Sequence, residues 1–322
     1  MLFRSATGFN ISPDNNLLAY GVDTVSRRQY TIHVKNLSTG ETYPEALYPT
    51  SGSSAWAQDN RTLFYTETNP ETLLTEKIKR HIMGTAASAD AVVYHEADPS
   101  NYIGISKSRS QDYFFISSQG TLSSEVRFLR TDEPNGIFRV FQPRMKDVLY
   151  TVDHHKDRFY IVTNKEAKNF RLMECGLDTT SADHWGEMVP HRVEVLLEGI
   201  DVFSDYLVLT ERKEGLLQLR VREFQTGKEH YLDFGEPAYT AYVGNNPEFK
   251  TTVLRYGYTS LTTPSSVFDY DMVSHQKTLR KQQEVLGGYD LASYVTERVY
   301  ATAGDGAKVP VSLVYKKGIR KE

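Results

Sequence analysis

Residues 11–42 read ISPDNNLLAYGVDTVSRRQYTIHVKNLSTGET and contain one structural repeat from turn to turn. Pro13-Asp14-Asn15-Asn16 is a turn. Leu17 to Val22 is a strand, rich in residues that suit a pleated surface. Asp23 to Arg28 is a polar loop. Tyr30, Ile32 and Val34 then alternate with Thr31, His33 and Lys35, the period-two pattern of a half-buried strand. Asn36 to Gly40 is a second turn, and Glu41-Thr42-Tyr43 opens a last short strand. The apolar step ending at Ile11-Ser12 supplies the first strand, so the unit has four short antiparallel strands, one blade of a β-propeller.

The unit recurs. An acidic or polar turn followed by an apolar run appears at Asp14, Asp59, Asp112, Asp157, Asp205 and Lys250, at spacings of 45, 53, 45, 48 and 45 residues. Periods of roughly 40–50 residues with four strands each are those of propellers. The expected fold class is therefore all-β, a β-propeller of four-stranded antiparallel blades with six blades present. Their expected bounds are about 1–50, 51–98, 99–144, 145–192, 193–237 and 238–288. The pattern places the tail of the fourth unit, Thr179 to His191, in a loop around Trp185. It allows a turn of helix within Pro70 to Arg80. After Gly287-Gly288 the pattern changes. Val295 to Ala301 and Val309 to Tyr315 form two strands joined around Gly304-Asp305-Gly306, a hairpin signal. Residues 289–322 are thus either an extra partial blade or the first piece of another domain.

Composition narrows the function. The chain has 322 residues, 39% hydrophobic, 24% charged and 12% aromatic, as in a folded globular protein. A net charge of −4 argues against a nucleic-acid surface. No apolar run approaches the ~20 residues of a membrane helix, and 1–14 lack the apolar core of a signal peptide. Cys175 is the single cysteine, which excludes a disulfide framework within the chain and permits a reducing compartment. It reads as a small buried apolar residue. Asn36-Leu37-Ser38 and Asn60-Arg61-Thr62 match the glycosylation pattern within turns. A cytoplasmic protein with neither membrane nor nucleic-acid partner is expected.

Motifs for familiar catalytic chemistry are mostly missing. A nucleophile elbow needs Gly-x-Ser-x-Gly, and Gly52-Ser53-Ser54-Ala55-Trp56 fails at the last glycine. There is no phosphate-cradling glycine loop. With neither paired cysteines nor His-Glu-x-x-His, no metal and no cofactor are expected. The densest polar cluster is Asp153-His154-His155-Lys156-Asp157-Arg158. It reads either as an acid–base or metal site in a propeller channel or as a solvated turn between strands. Arg139 and Arg144 precede it, with Arg109 and Arg127 in the neighbouring unit. They are either channel cations for carboxylates or strand-edge charges. Arg139, Arg144, Asp153, His154 and His155 are the candidate site residues.

Five segments carry a more specific likeness: Ser26-Arg27-Arg28-Gln29-Tyr30; Arg80-His81-Ile82-Met83-Gly84-Thr85; Leu149 to His154 with Arg158-Phe159-Tyr160; Leu254 to Pro264; and Val309 to Tyr315. In these the chain resembles the propeller domain of the oligopeptidase B branch of the prolyl oligopeptidase family of serine peptidases. The resemblance implies a cytosolic enzyme of two domains, in which a seven-bladed propeller caps an α/β-hydrolase domain carrying Ser, Asp and His. Peptide substrates would be cleaved after Lys or Arg, and the propeller would exclude folded proteins. Candidate gating loops are Asp132 to Gly136 and Asp153 to Asp157. The six units would correspond to the second to seventh blades, with the catalytic domain as intramolecular partner and Val309 to Tyr315 as its first sheet segment. No triad residue can be carried over, so this chain alone is expected to be an inactive fragment. The alternatives are a free-standing propeller used as a binding or scaffold module and an enzyme with its site in the channel. Six blades of a ring built for seven would expose apolar faces, so the expressed chain is expected to self-associate. Size-exclusion chromatography with light scattering checks this, and a stable monodisperse monomer would contradict it.

Overall fold

The computed structural model describes residues 5–319. It is all-β: six four-stranded antiparallel sheets, each made of four consecutive strands in sequence order, and one two-stranded hairpin. The first sheet consists of Ser5–Ile11, Leu17–Asp23, Tyr30–Asn36 and Thr42–Thr50, as the opening repeat foretells. The six sheets occupy residues 5–50, 54–95, 102–142, 150–189, 195–231 and 239–282, and the hairpin pairs Tyr294–Thr302 with Lys308–Lys316. One local expectation is corrected: Gly186–Val189 is the fourth strand of the fourth sheet rather than loop. At the start of 70–80 the chain makes one helical-type turn, Leu73 N donating to Asn69 O (2.8 Å) while the Asn69 carboxamide oxygen accepts from Glu71 N (2.9 Å) and Thr72 N (3.1 Å), and it then extends as Thr75–Ile82.

Aspartate recurs at five of the six turns, and a short carboxylate suits such a turn because it can accept from backbone N–H groups just beyond it. Asp59 Oδ1 accepts from Arg61 N (2.9 Å) and Thr62 N (2.8 Å), and Asp14 Oδ1 accepts from Asn16 N (3.1 Å). The Ser12 hydroxyl and the Asn16 donors hold the Asp14 carboxyl below the ordinary carboxylate range. Burial works to raise Asp59, but donors from Thr62 and Arg61 outweigh it. The two asparagines of the glycosylation pattern are turn residues of the same kind. Asn36 Oδ1 accepts from Ser38 N and Thr39 N, and Asn60 Oδ1 from Asp14 N.

The described chain falls into two compact units. One runs to Glu166 and adds Met173–Met188; the other takes Ala167–Leu172 and continues from Val189. Cores lie between consecutive sheets inside each unit. In the first unit, Ala19, Ile32 and Val34 of the first sheet meet Trp56, Leu63 and Tyr65 of the second. Phe64 and Ile78, on the second sheet's other face, meet Phe114, Ile116 and Leu129 of the third. Tyr113, Phe115 and Phe128, on the third sheet's other face, meet Tyr150, Phe159 and Ile161 of the fourth. A strand whose alternate side chains enter two cores reads as a continuous apolar run, which is why Tyr113-Phe114-Phe115-Ile116 has no polar positions. In the second unit, Val208 and Leu219 of the fifth sheet pack with Ala241, Leu254 and Tyr256 of the sixth. Gly257 is required there, since a Cβ would stand 2.2 Å from the Tyr242 ring that crosses it. Cys175 is buried in the third core, and that burial pushes its thiol up to about 12.

The fifth sheet holds a fully buried carboxylate, Glu211. The Arg220 guanidinium approaches its Oε1 at 2.6 Å, Arg192 reaches the same oxygen, and Tyr231 OH donates to Oε2 at 2.8 Å. Removing one partner of such a group leaves the other charges uncompensated. Glu211→Gln is therefore expected to lower unfolding free energy by roughly 3–5 kcal/mol. Arg212→Ala, which breaks an exposed pair with Glu198, should stay within about 1 kcal/mol. Urea unfolding of the two variants checks the contrast, and equal midpoints would refute it.

Candidate functional site

The sequence-derived candidates Asp153, His154 and His155 are not in a turn. They end the strand Tyr150–His155, the first of the fourth sheet, and the turn itself is Lys156-Asp157, with Lys156 at φ 55°. The solvated-turn reading fails for both histidines: His154 and His155 are 2% and 4% exposed. His154 lies against the rings of Tyr113 (centroids 4.6 Å apart) and Phe159 (5.5 Å). Its Nδ1 is 2.7 Å from Ser110 Oγ and 3.6 Å from Asp112 Oδ2. Asp153 Oδ1 accepts from Arg109 N at 3.0 Å and from His154 N at 2.8 Å. His155 stands beside the Tyr160 ring. The fourth sheet's first strand thus holds the 108–112 loop of the third sheet by two polar contacts set among aromatic rings.

Ser110, His154 and Asp112 have the residue types of a catalytic triad but not its geometry. In a triad the base accepts from serine through one ring nitrogen and is oriented by the carboxylate through the other. Here serine and aspartate both meet Nδ1, so His154 cannot relay a proton between them. Burial pushes the His154 pKa down; a backbone hydrogen bond at Lys156 and the Asp112 carboxylate oppose this only in part. The group is a neutral clamp. Among the described residues no cluster of three or more His, Cys, Asp and Glu side chains is arranged to hold a metal ion.

The candidate arginines are likewise occupied. Arg144 donates from Nη1 to Ser123 O (2.9 Å) and Oγ (3.1 Å), and from Nη2 to Ser118 O (3.1 Å) and Oγ (2.6 Å), cross-linking the 118–123 turn. Arg139 begins the outer strand Arg139–Gln142, exposed, with its guanidinium 5.2 Å from the Phe128 ring centre. Arg127 pairs with Glu125 and lies over Tyr94. The five candidates therefore sit in three separate settings: on the outer strand of the third sheet, beyond that strand at the 118–123 turn, and on the first strand of the fourth sheet. The loop Asp132 to Gly136 is tied down by Arg130 to Asp132 (2.9 and 2.6 Å) and by Arg80 Nη1 to Pro134 O (3.0 Å).

A second setting, in the other unit, was not singled out from the sequence. The hairpin Tyr294–Thr302/Lys308–Lys316 lies against connections between second and third strands. Tyr300 OH donates to Glu214 Oε2 at 3.1 Å, Arg298 donates to the Glu214 carbonyl, and Thr296 Oγ1 is 3.4 Å from Thr262 Oγ1. Glu214-Gly215 is the two-residue turn of the fifth sheet, with φ 51° and 82°, the left-handed pair of a tight hairpin. Beside it, the 261–265 loop of the sixth sheet, Val285, Tyr289, Tyr294 and Val314 line a cleft of about 640 Å³. An acidic residue before glycine between two alternating strands was the available signal. In an antiparallel sheet, connections between first and second strands and between third and fourth leave from one end, and that between second and third from the other. Asp153 to Asp157 and Asp132 to Gly136 belong to the first kind, whereas the hairpin meets the second kind.

These repeats define a β-propeller domain of four-stranded blades. The chain matches the family described as the prolyl oligopeptidase N-terminal β-propeller domain over residues 3–283, and it belongs to that family. It is 44% identical over 316 residues to dipeptidyl aminopeptidase BI of Pseudoxanthomonas mexicana, covering 98% of this chain and 43% of that protein. It is 30% identical over 318 residues to protease 2 of Moraxella lacunata, covering 98% and 45%. Among solved structures, oligopeptidase B from Leishmania major superposes with a TM-score of 0.90 at 30% identity, covering 99% of this chain and 46% of that one. The chain thus spans less than half the length of these relatives.

The clamp has a pH signature. His154 in the fold titrates below its ordinary 6.5, so between its folded pKa and about 6.5 the unfolded chain binds more protons than the native one. Stability is complete above about 6.5 and falls as pH drops through that window. His230 is shifted the same way, by burial and then by His275, and acts in parallel. Urea midpoints at pH 5 and pH 7.5 should differ, and His154→Phe should narrow the difference. An unchanged difference would show that His154 does not titrate as described.

Proposed function

We propose that this chain forms the propeller of an oligopeptidase B-like serine peptidase, in which an α/β-hydrolase domain supplies the Ser-Asp-His triad and short peptides are cleaved after Lys or Arg. One observation carries the reading: the family match to residue 283 is followed by a hairpin that packs on the Glu214-Gly215 turn and on Thr262. A free-standing scaffold propeller has no evident use for that hairpin. The propeller's part is access. Connections of the kind the hairpin meets are the ones we assign to gating, and the 24–29 loop of the first sheet is such a connection. Its shape is held by Asp23, whose carboxylate accepts from Val25 N and Ser26 N at 2.9 Å and from Arg28 N at 2.7 Å. A cytoplasmic setting belongs to the same proposal, supported by a single buried thiol that needs no oxidising compartment.

A second reading has its own support. The 44% identity to a dipeptidyl aminopeptidase favours release of dipeptides from a free amino terminus. Blocked arginyl and lysyl amides separate the two, since only an endopeptidase accepts them. The 322-residue chain alone should release no fluorophore from either substrate type, because activated nucleophile, base and oxyanion hole must all be present. The complete peptidase should turn over the blocked amides. Turnover of unblocked dipeptidyl amides alone would establish the second reading, and activity tracking the purified 322-residue chain would refute both.

Gating has a separate test in the complete enzyme. Deleting residues 25–28 should change kcat/KM for peptides of ten or more residues by several-fold and leave a minimal amide nearly unaffected. Shortening Asp132 to Gly136 should do less. Equal losses on long and minimal substrates would count against gating by the 24–29 loop.

A further inference from the structure

A second cleft, of about 460 Å³, opens in the second unit between the hairpin and the fifth and sixth sheets. Its polar lining is one guanidinium, Arg298, and the hydroxyl residues Tyr239, Thr240, Thr259, Ser260 and Ser312. The hairpin register sets Arg298 opposite Ser312, and both line the cleft. Arg298 spends one edge on the Glu214 carbonyl, while its Nε–H is buried with no acceptor among the described residues. The Ser312 and Thr240 hydroxyls open onto the same space, as does Tyr239, whose hydroxyl burial raises in pKa while Arg298 draws it down. Gly215 also lines the cleft, and its φ of 82° is the backbone conformation that favours glycine. No carboxylate lines the cleft; the nearby Glu214 side chain is engaged by Tyr300 OH. The remaining walls, Leu216, Ala238, Leu261 and Pro310, are apolar.

A cleft lined by one guanidinium and several hydroxyls, with no carboxylate, is the complement of an oxyanion. The space is much larger than an inorganic anion fills, and its apolar walls would leave such an ion poorly matched. We propose that this cleft binds an organic carboxylate with an apolar body, namely the terminal carboxylate of a short peptide, with the Arg298 guanidinium and the Ser312 hydroxyl donating to it. The peptide as source rests on the peptidase reading; the site itself rests on the lining.

The test measures binding to the 322-residue chain, not hydrolysis, so its failure and that of the peptidase reading are distinguishable. N-acetyl-leucyl-leucine, its carboxamide and inorganic phosphate are titrated by calorimetry, with saturation-transfer NMR as cross-check. The free acid should bind about tenfold more tightly than the amide, the size of effect expected for one charge-assisted hydrogen bond. Arg298→Gln should remove that preference and Ser312→Ala should weaken the acid about threefold. Should Arg298→Gln fold poorly, the acid–amide comparison on the native chain and the exposed Ser312→Ala variant still decide. Equal binding of acid and amide, a preference that survives Arg298→Gln, or phosphate binding as tightly as the acid would each overturn the assignment.

Discussion

A sheet of four short strands has two faces and cannot bury either alone. That constraint shapes this chain more than any single contact. Within each unit the facing sides of consecutive sheets hide one another, so the strands of the second and third sheets serve two cores at once. Phe114 and Ile116 enter one core while Tyr113 and Phe115 enter the other. Phe159 shows how such a core is filled. Tyr113, Phe128 and Phe141 approach it edge-on at 5.0–5.4 Å between ring centres, and His154 at 5.5 Å. Each such aromatic pair contributes on the order of 1 kcal/mol beyond its area, and the rings come from three strands of one sheet and two of the next.

Apolar burial is non-directional, so it leaves the register of one sheet on another weakly specified. The buried polar groups supply the direction. His154 and Asp153 fix the 108–112 loop to the fourth sheet, Asn10 Nδ2 donates to Ser54 O at 2.9 Å between the first and second sheets, and Glu211 gathers Arg192, Arg220 and Tyr231 around the fifth. Each is costly to leave half-made and modest in net gain when complete. Their value lies in excluding alternative packings rather than in raw stability. This also explains why residue types suggestive of catalysis occur here without catalytic geometry: a buried carboxylate or imidazole is as useful for registering two sheets as for chemistry.

The repeat was legible because strands buried on both faces leave long apolar runs between turn aspartates, and those signals are local. Gly186–Val189 was missed because an outer, half-exposed strand of four residues carries Glu187 and no alternation long enough to read. The setting of Asp153 to His155 was missed for a different reason. The rings that enclose His154 come from Tyr113 and Phe159, and only Phe159 is near it in sequence. Arg139 and Arg144 looked like free cations because neither the Phe128 ring under the first nor the Ser118 and Ser123 oxygens around the second announce themselves as partners. Arg298 gave no signal at all, since one basic residue in an alternating strand is what a solvent-facing position also shows.

The hairpin follows a different physics from the sheets. Two nine-residue strands with no further neighbour are marginal by themselves, so the contacts at Glu214 and Thr262 are what anchor Tyr294–Thr302 and Lys308–Lys316 in place. The register sorts its side chains. Thr296 with Val314, Arg298 with Ser312 and Tyr300 with Pro310 share the face that meets the turns of the fifth and sixth sheets. Val295 with Tyr315, Val299 with Val311 and Ala301 with Val309 share the other, with Glu297 held by Tyr315 OH. One face thus carries Thr296, Arg298 and Tyr300, which contact the blades, while the other is mainly aliphatic, with Val299 and Val309 more than 40% exposed. A period-two pattern of that kind suits a strand pair lying between a blade surface and a second apolar layer. In the proposed enzyme that layer is the hydrolase domain, which would make the Glu214 turn a point where propeller and catalytic sheet are mechanically joined.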